Sequence, residues 1–314
     1  SEPRRIFGAF SAFGYINSAS SMILSFVTLA LSLSMAMITV PACAESVAPV
    51  KASEPVSPIP EGADEKAWNL LKSAHDARQV LPSDFEGFDA LLNYSVNGKS
   101  YEGKLVFRNK AGGTNIDIAG VDKDEMSWLK DKLISMIGHR RGGEFSERDG
   151  KHKITFGGND SDKNRQNRLG TLVFLNDKLN SSYRVKDRKV MEVTRMMGNI
   201  VFTISVIQTM TADPGKYLAH HFLVTYRDKK SSAIQQVDGF RDKYKKIDSI
   251  WLPVRRTVIT ITPEEKTPDI RQIELSRISV LRKKAELEQR LKEMQENTGA
   301  GGHEFGYASM TGSN

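Results

Sequence analysis

Residues 170–209 constrain the fold of this chain more than any other stretch. The segment GTLVFLNDKLNSSYRVKDRKVMEVTRMMGNIVFTISVIQT reads as consecutive strands separated by short polar breaks, with no helical interruption. Its last part, NIVFTISVIQT (199–209), is dominated by β-branched and aromatic side chains, which suit a pleated, half-buried surface. Strand-like runs also occur at 152–156, 217–228, 232–237, 251–262 and 270–280. In the last of these, Ile273 and Leu275 are interleaved with Arg271, Glu274 and Arg277. Such one-sided patterns belong to an antiparallel sheet with one face covered and one wet.

The upstream part adds helices to this sheet. From a cap at Asp64, the residues Ala67, Leu70, Leu71, Ala74 and Leu81 recur at helical spacing, and Pro82 forces an end. Strands are expected at 88–96, 99–108 and 114–119. The first two are joined at Asn97-Gly98, a hairpin signal because both residues tolerate positive φ. Asp122-x-x-Glu125 resembles a capping box before a second helix, 123–137, which carries Met126, Leu129, Leu133, Met136 and Ile137 on one side and stops at Gly138. The fold class is therefore α+β: a strongly curved antiparallel β-sheet, or half-barrel, with two amphipathic helices on its concave face.

Outside this 64–280 domain, the ends read differently. Residues 22–44 form an uncharged apolar run closing in Ala42-Cys43-Ala44, which fits a signal-peptidase site. A retained anchor is the alternative, since the run approaches the length of a membrane span. Acylation of Cys43, the only cysteine, is another, because Val40-Pro41-Ala42-Cys43 loosely resembles a lipobox. Residues 45–63 are a Pro-rich tether, 281–297 a charged amphipathic helix, and 298–314 a Gly-rich tail expected to be disordered. The exported location is periplasmic or secreted. With a net charge of +7 and no recognition helix or RNP-like motif, nucleic-acid binding is not expected.

No catalytic constellation emerges. Gly142-Gly143-Glu144-Phe145 resembles a diguanylate cyclase turn but lacks the further acidic residue that motif needs. Ser127-x-x-Lys130 lacks the partner motifs of a serine acyltransferase. His220 and His221 are neighbours in a strand and point to opposite faces, so they do not chelate one metal together. No metal or cofactor is expected. The remaining candidates are charged residues that interrupt apolar strands or end a helix: Arg184, Lys186, Asp187, Arg195, His139 and Arg140. Asp187 is placed to pair with Arg195 across a tight turn. The pair is then either a structural salt bridge or, with an arginine at a cavity mouth, a clamp on an anionic headgroup.

Two resemblances join this reading. The run Ser181-Ser182-Tyr183-Arg184-Val185-Lys186-Asp187, then Val193-x-Arg195 and Phe202-Thr203-Ile204, resembles the core of the domain of unknown function 3386 family. His75-Asp76-Ala77-Arg78, Phe85-x-Gly87-Phe88, His139-Arg140 and Trp251-Leu252-Pro253 extend the match over about 67–262. That family has no assigned activity and occurs in photosynthetic lineages among others, so a thylakoid lumen is a further possible location. In topology alone, the chain is similar to the periplasmic lipoprotein-carrier (LolA-like) family. That resemblance implies an open half-barrel whose apolar concave face holds acyl chains. The expected function is a monomeric, non-catalytic binder of a hydrophobic ligand, a lipid or acyl chain. The alternative is an envelope assembly protein that receives a polypeptide segment or lipoprotein, with a hydrolase as the remote third.

Overall fold

The computed structural model describes residues 58–109, 113–158 and 162–281. The export segment, most of the tether and the C-terminal helix and tail lie outside the described residues, as does most of the turn expected at Ala111-Gly112-Gly113. Helix α1 (Glu65–Asp76) leads into β1 (Gly87–Val96), β2 (Lys99–Arg108) and β3 (Thr114–Ile118). Helix α2 (Lys123–Gly138) and two single-turn 3₁₀ segments, Phe145–Glu147 and Asp149–Lys151, precede β4 (Ile154–Phe156) and α3 (Lys163–Leu169). A meander then runs through β5 (Thr171–Leu175), β6 (Ser182–Lys186), β7 (Lys189–Met197), β8 (Ile200–Thr211), β9 (Tyr217–Asp228), β10 (Ile234–Ile247), β11 (Ile250–Ile261) and β12 (Asp269–Val280).

All these strands form one open 12-stranded sheet, in the order β3-β2-β1-β12-β11-β10-β9-β8-β7-β6-β5-β4, with every pairing antiparallel. Two-residue turns fix the register where φ is positive at both central positions: Asn97-Gly98, Asp187-Arg188 and Asp248-Ser249. Bulges in the pairings of β1, β6, β8 and β10 add twist and bend the sheet. The curved α+β architecture read from the sequence is the one observed.

Topology explains why helices cover one face. β3 and β4 are consecutive strands but occupy opposite edges of the sheet. The chain between them must cross the whole sheet, and α2 is the main part of that crossing. Its buried side, Trp128, Leu129, Leu133, Met136 and Ile137, packs into one core with Leu92, Tyr94, Leu105, Phe107, Ile273 and Leu275. A separate core forms under α1, where Ala67, Trp68, Leu71 and Ala74 meet Phe145, Ile154, Val173, Leu175, Tyr183 and Val185. The cross-strand register places both sets on the same face, through Tyr183, Val193, Ile204, Val224, Phe240, Val258 and Ile273. Each fully buried aliphatic or aromatic side chain contributes about 1.5–3 kcal/mol.

Several local expectations are corrected. Asp64 caps α1 by accepting from Lys66 and Ala67 N–H, but the helix ends at Asp76, and Leu81 belongs to the other core. Asp122 caps α2, yet Glu125 does not close a capping box; its carboxylate takes Arg271 and the Tyr94 hydroxyl instead. Gly138 stays inside α2, whose cap is His139 in right-handed geometry. The tether's last residues fold onto the domain, with Ile59 against the α1 core. α3 was not anticipated: its sequence KNRQNRL buries no residue, so no apolar stripe announces it. β10 runs on through DGFRDKYKKI, where inward-facing Asp238 and Asp242 disguise a strand.

Candidate functional site

The two cores do not merge. Between them, the helix-facing wall of β7, β8 and β9 is only partly covered, and Val193, Arg195, Ile200, Ile204, Val206 and Phe222 keep solvent contact. This partly open strip, bounded by α1 on one side and α2 on the other, is the candidate site.

Its polar rim forms where the C-terminal ends of the two helices converge. The segment after α1 is clamped by backbone bonds: Tyr217 N–H to Ala77 O at 2.9 Å, Gln79 N–H to Tyr217 O at 2.8 Å and Leu81 N–H to Arg140 O at 2.7 Å. These bonds tie Arg78 to the start of β9 and to the end of α2, where His139 and Arg140 stand. His139 is an exposed residue at that end. Loss of hydration against the neighbouring protein, and then the charges of Arg256, Arg195 and Arg78, push its pKa down to about 4. The imidazole is therefore neutral at pH 7, a hydrogen-bonding group among cations.

Arg195 faces the same wall. Its Nη2 donates to the Tyr183 hydroxyl at 2.6 Å, and that hydroxyl donates to Asp149 at 2.9 Å. Burial, and after it the Asp149 carboxylate, raises the Tyr183 pKa above the usual phenol range. Arg78 donates Nε–H to His75 O at 3.2 Å, and burial lowers its pKa, opposed by Tyr217 and Asp149. Arg140 is 4% exposed; it bonds to Trp251 O and lies over the Tyr244 ring at 5.3 Å. Its Nε and Nη2 are buried without a protein partner among the described residues. Arg256 forms a buried two-bond pair with Asp242, at 2.7 and 2.6 Å, and sits over Phe222 and Phe240.

Of the residues expected from sequence, His139, Arg140 and Arg195 thus come together, and Arg184 and Asp187 do not join them. Arg184 points to the opposite face, where it is 5% exposed and lies 3.6 Å from Glu192; α3 closes over this pair through Arg165, at 2.6 and 2.7 Å from the same carboxylate. Asp187 is an exposed hairpin-turn residue, and the exposed Lys186 beside it donates to Asn167 O at 2.7 Å, away from the wall. The expected Asp187–Arg195 pair is not formed, because Lys186 opposes Lys189 at the turn while Arg195 lies near the far end of β7, opposite Phe202. Sequence reasoning missed Arg78 and Arg256. Arg78 was visible in the His75-Asp76-Ala77-Arg78 run, and Arg256 as a charge at an inward position of an apolar strand.

Elsewhere, a depression of about 410 Å³ lies at the far β4–β5 edge, lined by Lys153, Thr155, Phe174, Leu175, Asn176 and Asn180. Among the described residues no group of three or more His, Cys, Asp or Glu could hold a metal ion. None of their helices is long and apolar enough to cross a membrane.

Fold and site together define an open-sheet α+β domain with an apolar concave wall and a cationic rim. Residues 63–281 match the model of a protein family described as of unknown function, DUF3386, and the chain belongs to that family. Among curated proteins no match was found. Among solved structures, the chain is similar to a domain from Vibrio parahaemolyticus provisionally described as an outer membrane lipoprotein-sorting protein domain. That match has 8% identity, covers 72% of this chain and 98% of the other, and has a TM-score of 0.28. It is also similar to a DUF1329 family protein from Desulfovibrio piger, at 10% identity, 68% and 92% coverage and a TM-score of 0.23. The lipoprotein-sorting likeness is the one the topology implied; at these scores neither match carries an argument.

Proposed function

We propose that this chain is an exported, non-catalytic binding protein that shelters a hydrophobic ligand, a lipid or acyl chain, on the concave wall between α1 and α2. The observation that carries the reading is the interrupted core. A sheet of this size with two helices on one face would ordinarily bury a continuous apolar layer, yet Val193, Ile204, Val206 and Phe222 remain partly open between the helices. Partly exposed apolar side chains in a concave setting, with few polar groups at the rim, match the make-up of a ligand site. The uncharged run at 22–44 supports export, with the mature domain working in the periplasm, outside the cell or in a lumen.

Native mass spectrometry of the full chain tests this directly. A co-purifying lipid mass released on denaturation is expected. A bound polypeptide would favour the assembly reading, and a chain that neither carries nor takes up any amphiphile would refute the proposal.

A further inference from the structure

We infer that the ligand of the concave wall ends in an oxyanion, a carboxylate or phosphate, and that the fork of Arg78 receives it, with Arg195 alongside. The inference rests on the reading of the wall as a hydrophobic site and adds the chemistry of the ligand's polar end.

Arg78 is held in place by backbone rather than by a charge partner. The clamp of Ala77 and Gln79 on Tyr217, and of Leu81 on Arg140, fixes its Cα at the junction of the two helix ends. Its side chain is half-buried. Nε–H caps α1 by donating to His75 O, which favours a cation at a helix C-terminus. That contact uses a single N–H of the guanidinium. Among the described residues, its terminal nitrogens have no hydrogen-bond acceptor and no carboxylate at salt-bridge distance. Asp149 acts on Arg78 only from further away, and its carboxylate already accepts the Tyr183 hydroxyl.

The surrounding charge does not balance. Around Arg78, Arg148 adds a second cation and Asp149 is the carboxylate that opposes them, while Asp242 is taken by Arg256 and His139 is neutral. A half-buried cation without a counter-charge is costly, and an Arg fork matches two oxygens of a carboxylate or phosphate. Helix capping alone accounts for Nε and leaves the fork and the excess charge unexplained. With Val193 and Ile204 on the adjoining wall, the complementary molecule has an oxyanion on an apolar body.

The test is equilibrium binding of a fluorescent polyene fatty acid and its methyl ester to the full chain. The acid should bind about tenfold more tightly than the ester, the range of a charge-assisted two-bond contact. Arg78→Gln should abolish that preference. Arg241→Gln, on the opposite face, should alter neither. If the Gln variant does not fold, Arg78→Lys, which keeps charge but not fork, should reduce the preference several-fold. Displacement by palmitate alone assigns a carboxylate, and displacement by lysophosphatidate alone a phosphate; both support the inference. Equal binding of acid and ester by the parent chain, or a preference that survives loss of Arg78, overturns it while leaving the apolar site standing. Binding of neither probe overturns the hydrophobic-site reading itself.

Discussion

Arg184 and Arg195 lie on neighbouring strands of one hairpin and serve opposite faces of the sheet. Arg184 is sealed against Glu192 beneath α3, and Arg195 reaches Tyr183 on the concave wall. The two should respond differently to the same substitution. Arg184→Met leaves the Glu192 carboxylate with Arg165 as its one cation among the described residues, and should cost about 3 kcal/mol of stability, the low end for a broken buried pair, with ligand retention preserved. Arg195→Met should weaken retention while changing the denaturation midpoint little. Denaturant unfolding and lipid content measured on both variants check this, and equal loss of both properties in Arg195→Met would make Arg195 structural.

The Arg256–Asp242 pair fastens α2 to the sheet, because Arg256 also donates to Lys132 O and Ser135 Oγ of that helix. Both side chains are nearly inaccessible, at 3% and 1%. Arg256→Met strands a buried carboxylate and should cost about 3–5 kcal/mol. Replacing both, as Arg256→Met with Asp242→Leu, should recover much of that loss. A double-mutant cycle by chemical denaturation gives the coupling; additive losses would show that the pair does not act as a unit.

How much of this was legible beforehand follows from where the signals are local. Hairpins and alternating strands are encoded by neighbours in sequence, so Asn97-Gly98 and the run 199–209 announced themselves. β10 did not, because Asp238 and Asp242 occupy inward positions that become tolerable only once Lys132 and Arg256 arrive from distant elements. The site divides in the same way. His139, Arg140 and Arg195 stood out as charges in apolar surroundings, but a one-residue shift in facing separates Arg184 from them, and only the register of β6 and β7 decides it. Arg78 fell inside the helix expected to run to Pro82, and only the fold brings it to Tyr217.

His139 supplies a pH dependence with a definite sign. In the unfolded chain its ring takes a proton near the ordinary 6.5, and in the fold only at about 4. Between those values the unfolded state binds more protons, so the stability contribution is complete above pH 6.5 and drains away as pH falls toward 4. The groups facing the ring are Arg256, Arg195, Arg78 and Asp242. An NMR titration should find the imidazole neutral through pH 6, and His139→Asn should lose less stability than the parent between pH 7 and 4. An ordinary histidine titration would contradict this placement.

The most direct test of the central claim is to ask where an acyl chain touches the protein. The full chain is loaded with a diazirine-bearing fatty acid, irradiated, digested and mapped by mass spectrometry. Labels on Val193, Ile204, Val206 and Phe222, between α1 and α2, are the predicted result. Labels confined to the opposite face, at Ile259 and Ile270, or no labelling at all, would contradict it.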